Sequence, residues 1–136
     1  MRYRITAQWE LPLEDGFEHR VEDNHLVFWK TGATVVTTVF SYSGFAQQQG
    51  LLANLRGKAD AAGLESFEET DGALYRFGYL QPEKIAADHV RLALHSFTLA
   101  EHSCLQASYY LDRASDLNKA LQSWKEVVHT GEESEA

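Results

Sequence analysis

The chain has 136 residues, 44% of them hydrophobic and 12% aromatic, a single cysteine and a formal net charge of −8. At this length one domain buries roughly two-thirds of its unfolded surface, so a core forms without disulfide staples, and the aromatic content excludes a disordered chain. Its 12 basic residues are scattered among 20 acidic ones, which excludes the basic patch that nucleic acid or an anionic membrane needs, and no apolar run reaches the roughly 18 residues that span a bilayer.

At the amino terminus Tyr3, Ile5, Ala7, Trp9 and Leu11 alternate with Arg4, Thr6, Gln8 and Glu10, which predicts one half-buried strand. The same segment lacks the continuous apolar region of a signal peptide, and with one unpaired cysteine the expected location is cytoplasmic. Pro12, Asp15 and Gly16 signal a turn, followed by extended stretches at 17–22 and 25–30 divided by Asp23-Asn24. Thr31-Gly32 predicts a hairpin turn, with the β-branched run 34–40 as the return strand. Over 47–62 the period changes: Leu51, Leu55, Ala59 and Ala62 recur at spacings of three and four, and Gly63 stops the helix.

Residues 64–69 and 74–80 flank Asp71-Gly72, a strong hairpin signal, and Pro82 is expected to end that pair. Stretches 90–99 and 102–111 form a further hairpin joined at Ala100-Glu101. Ser115 is expected to cap a closing helix whose stripe is Leu117, Ala120, Leu121, Trp124, Val127 and Val128. Residues 1–130 thus read as a single domain and 131–136 as an acidic flexible tail holding Glu132, Glu133 and Glu135.

The expected class is α+β, a mainly antiparallel sheet with helices packed on it, in the order βββ-α-ββββ-α. The early hairpin His25-Leu26-Val27-Phe28-Trp29-Lys30-Thr31-Gly32, and the ending Tyr109-Tyr110-Leu111-Asp112 before the Leu117/Leu121/Trp124 helix, resemble the Mog/PsbP-like fold in their order. That family includes a Ran-binding protein, an extrinsic subunit of photosystem II and bacterial proteins that look like chaperones for secreted effectors. The resemblance implies binding of other proteins rather than turnover of a substrate, by analogy of fold alone.

No phosphate loop, dinucleotide fingerprint, nucleophile elbow, HExxH pair or CxxC pair is present. With Ala100-Glu101 as the turn, Phe97 would face Cys104, His95 would face Gln106, and His95 and Cys104 would be diagonal neighbours. One face then carries Val90, Leu92, Leu94, Leu105, Ala107, Tyr109 and Leu111 as core. The other carries Arg91, His95, Phe97, His102, Cys104, Gln106, Ser108 and Tyr110, a mixed polar and aromatic surface suited to binding.

Two chemical readings of that surface stand beside plain recognition. Cys104 could be a nucleophile with His95 or His102 as base and Glu101 as orienting acid, or the three could bind zinc. Against both, Cys104 reads as a small half-buried hydrophobe and the histidines as solvated, so no catalytic residue, metal ligand or cofactor is assigned. Trp9 and Trp124 continue apolar faces and read as core. Trp29 shares its hairpin face with Val27, Thr34, Val36, Thr38, Phe40 and Tyr42, while the opposite face is equally apolar, so one side is either covered or meets a partner.

The expectation is therefore a non-catalytic protein-binding module, adaptor or chaperone-like, that recognises a protein partner through Trp29, Arg91, His95, Phe97, His102, Cys104, Gln106 and Tyr110. A small enzyme or zinc-binding protein built on His95, His102 and Cys104 is the alternative. An exposed sheet edge leaves a homodimer open.

Overall fold

The computed structural model describes residues 2–130, and the expected acidic tail at 131–136 lies outside them. Its elements in chain order are β1 (Arg2–Arg4), β2 (Trp9–Pro12), β3 (Glu18–Glu22), β4 (His25–Lys30), β5 (Ala33–Ser41), α1 (Phe45–Ala61), β6 (Ser66–Asp71), β7 (Leu74–Ala86), β8 (His89–Leu99), β9 (Ser103–Leu111), a 3-10 turn (Ala114–Asp116), α2 (Leu117–Lys125) and β10 (Val128–His129). The class is α+β with an antiparallel sheet, as expected. Five strands precede α1, where the expected order had three and the extended stretches at 3–11, 17–22, 25–30 and 34–40 number four, and a short strand follows α2. The fifth strand and the last one arise because two segments fold differently from their sequence reading.

The first is the amino terminus. The alternation from Tyr3 to Leu11 does not form one strand but folds back on itself, β1 pairing antiparallel with β2 through Tyr3 opposite Leu11 and Arg4 opposite Glu10. The Thr6 hydroxyl accepts from the Gln8 N–H at 3.2 Å, the local side-chain bond that favours a turn over extension. The second is the carboxy terminus. Val128 leaves the helical stripe to pair with Glu10, and His129 pairs with Trp9, completing a three-stranded sheet.

The main sheet has seven strands in the order β3-β4-β5-β9-β8-β7-β6, all antiparallel. Asp23 and Asn24 both have positive φ, the requirement of a tight β3–β4 turn. Gly32 and Gly72 supply positive φ in the β4–β5 and β6–β7 turns. Pro82 does not end its strand: β7 runs on to Ala86, with Pro82 opposite Leu92 on β8. The Leu80 N–H donates toward the β6 side, to the Glu65 carbonyl, and Pro82 two residues on faces that same side beyond the end of β6. Its missing N–H thus falls on an open edge, where it costs no ladder bond.

The β8–β9 turn is centred on Glu101-His102 rather than Ala100-Glu101. Leu99 pairs with Cys104, and the Ala100 N–H closes the turn on the Ser103 carbonyl at 2.8 Å. At α2 the 3-10 turn displaces the start of the helix, so Asp116 rather than Ser115 occupies the N-cap position.

Two apolar clusters lie on opposite faces of the sheet. On one, Trp9, Leu11, Ala120 and Trp124 pack against Phe28, Val35, Leu80, Leu94, Leu105 and Tyr109. On the other, Leu52, Leu55 and Ala59 of α1 cover Phe77, Phe97, Leu99 and Cys104. Trp9 and Trp124 are core, as their periodicity predicts. Among the described residues no helix is long and apolar enough to cross a membrane.

Candidate functional site

Directly paired residues of an antiparallel ladder point to the same face, so the register defines the surface beneath α1 row by row. One row reads Phe40, Cys104, Leu99, Tyr75 and the next Thr38, Gln106, Phe97, Phe77. Then come Val27, Val36, Ser108, His95, Tyr79 and, last, Trp29, Thr34, Tyr110, Ala93, Gln81. α1 is pinned over the first two rows. Gln48 Nε2 donates to the Ala100 carbonyl at 2.8 Å, and Arg56 Nη2 donates to Glu68 and to the Tyr75 hydroxyl at 2.8 and 2.7 Å.

The remaining two rows form a half-open aromatic and polar surface in which Trp29, Thr34, Val36, Tyr79, His95 and Tyr110 are all partly exposed. His95 Nδ1 lies 2.9 Å from the Ser108 hydroxyl, which also accepts from Gln106 Nε2 at 3.2 Å. The imidazole sits between two tyrosines, its centroid 5.2 Å from that of Tyr79 and 5.9 Å from that of Tyr110, the latter nearly perpendicular. Arg91 places its guanidinium 4.7 Å from the Tyr110 ring centroid while binding Glu83, and Arg20 lies 5.0 Å from the centre of Trp29.

Burial holds the His95 pKa below its ordinary value, only partly opposed by the Glu83 charge, and burial raises that of Tyr79. The patch is therefore neutral near pH 7, with arginines at its margin. It offers hydrogen-bonding groups within an aromatic surface, the composition of recognition sites.

The register correction decides the histidine–cysteine reading. Because the turn is displaced, His95 faces Ser108 and Phe97 faces Gln106, a shift of two residues from the expected pairs. Cys104 stands opposite Leu99, four residues from His95 along β8, roughly 13 Å at strand spacing, so the two are not diagonal neighbours. Cys104 is fully buried beneath α1 and its thiol pKa is pushed up to about 12 by burial. His102 is exposed in the turn, its ring 3.8 Å from the Glu101 carboxylate. Among the described residues no three His, Cys, Asp or Glu side chains are placed to hold a metal ion.

Of the eight expected binding residues, Trp29, Arg91, His95, Gln106 and Tyr110 are partly exposed on this face or at its margin. Phe97 and Cys104 share the face but are covered by α1, and His102 has left it for the turn. Sequence reasoning missed Tyr79, which β7 contributes in alternation with Tyr75 and Phe77. That alternation was available, but nothing local indicates that β7 lies beside β8.

Sequence reading also missed a cleft of about 620 Å³ on the opposite face, between α2 and the β4–β5 turn. It depends on where α2 lands on the sheet. No known family model matches the chain, and no curated protein matches it in sequence.

Proposed function

We propose that the protein is a cytoplasmic, non-catalytic protein-binding module of Mog/PsbP-like architecture, adaptor or chaperone-like in role, that seats a protein partner on the sheet face beside α1. The observation carrying this reading is that α1 covers only part of the face. Beside it Trp29, Val36, Tyr79, His95 and Tyr110 remain partly open as a contiguous surface. Aromatic side chains next to arginine, in a patch without net charge, are the composition of energetic hot spots. The helix-on-sheet arrangement and the run of hairpins support the architectural half of the reading.

The test is recovery of complexes from the source cells with the tagged chain, beside a Trp29→Ala/Tyr110→Ala form. A stoichiometric companion that the double variant loses, with circular dichroism and melting temperature nearly unchanged, is the expected result. A companion retained by the variant moves the interface elsewhere. Collapse of the variant's fold makes these residues core and overturns the assignment.

A further inference from the structure

The cleft on the other face has an apolar floor and an unbalanced charge at its lip. Val35, Tyr109 and Leu111 form the floor, and each is nearly inaccessible. The polar atom of Tyr109 is already satisfied: its hydroxyl lies 2.9 Å from Ser123 Oγ, which itself donates to the Pro12 carbonyl at 2.6 Å. At the lip, Lys30 and Lys119 share a single carboxylate, Glu14, with Lys119 Nζ 3.5 Å away and Lys30 in direct contact. Lys30 is further steadied 5.0 Å from the Phe17 ring centroid.

Arg113 is answered by Asp116 at 3.6 Å. The other acid, Glu126, receives the Gln122 amide and lies seven residues beyond Lys119, about 10 Å along the helix. Two ammonium groups and one carboxylate leave one positive charge at the Lys30 end. The volume is in the range of small-molecule sites.

We propose that this cleft binds an apolar carboxylate of the fatty-acid type, with its chain along the partly exposed Phe17 and Ala33, above the buried Val35, Tyr109 and Leu111, and its carboxylate between Lys30 and Lys119. The site is independent of the protein-binding face across the sheet.

The experiment is calorimetric titration of the delipidated full chain with decanoate below its micelle concentration, with decanol and decyltrimethylammonium as comparators. Decanoate is expected to bind one to one and about tenfold more tightly than decanol, the order of a single charge-assisted contact, and the ammonium compound not at all. Glu14→Gln, which removes the competing carboxylate, should tighten decanoate binding. Lys30→Met/Lys119→Met should reduce it to the level of decanol. Ala33→Phe, which fills the cleft from β5, should abolish both, and each variant's melting curve confirms that it is folded. The Trp29→Ala/Tyr110→Ala chain should bind as the parent does, and loss there would move the site to the other face. No binding of decanoate, equal binding of decanol, or decanoate binding unaffected by the double lysine change would each overturn the proposal.

Discussion

At Gly78 the absence of a side chain is a packing requirement. A Cβ placed there would lie 2.8 Å from Cη2 and 3.1 Å from Cζ3 of Trp124, and 3.3 Å from the His95 carbonyl. Trp124 is itself 2% exposed and wedged against the sheet, so the ring has little room to withdraw. Overpacking of this kind costs typically about 1–3 kcal/mol. Gly78→Ala should lower the urea midpoint accordingly with an unchanged slope, and an unchanged midpoint would mean that α2 yields freely. The tryptophan half of this contact was legible, because Trp124 continues a helical apolar stripe. The glycine half was not, since its partner arrives from an element far along the chain and a glycine in a strand signals equally a bulge or a close approach.

α1 ends in a Schellman motif: the Leu64 N–H reaches the Ala59 carbonyl at 2.9 Å, the Gly63 N–H reaches that of Asp60 at 3.1 Å, and Gly63 has φ +66°. Neither Gly63 nor Gly50, in the helix interior, has an atom within 4 Å of a built Cβ, so alanine tests backbone preference alone at both sites. Gly63→Ala should destabilise by about 1 kcal/mol, the cost of a left-handed L-residue, whereas Gly50→Ala should stabilise by about 0.5–1 kcal/mol. Opposite shifts in paired urea melts are the expected result, and shifts of the same sign would contradict this account. Elements were most legible where a residue has one physical use, as Gly63 at the helix stop and Gly32 and Gly72 in their turns. They were least legible where a pattern admits two folds. The alternation from Tyr3 to Leu11 suits a hairpin as well as one strand, and Ala100-Glu101-His102-Ser103 contains no residue that marks the centre of a turn.

Across the whole molecule, the candidate face survived the misplaced turn for a geometric reason. A slip of one residue would have sent every side chain to the other face, but the error was two, which keeps the faces and changes only the partners. His95 and Tyr110 were therefore placed on the correct surface, while the His95–Cys104 pairing dissolved. The neutrality of that surface also ties stability to pH. His95 has a lowered pKa in the fold, so below its ordinary value of 6.5 the unfolded chain binds more protons and stability falls as pH drops. Glu14 and Glu68, held low by Lys30 and Arg56, contribute stability above their ordinary 4.5 that is lost as pH falls further. At the alkaline end Cys104 and Tyr42 stay neutral in the fold, each raised to about 12 by burial. Their ordinary values are 9.0 and 10.0, so the unfolded chain loses protons first and stability declines above about pH 9. Urea midpoints measured from pH 4 to 10 should trace a plateau between about 6.5 and 9 with a loss on either side. His95→Gln isolates the imidazole: its curve should stay level down to about pH 5, where the carboxylates take over. An acid limb identical to that of the parent chain would show that His95 is solvated rather than buried between Tyr79 and Tyr110.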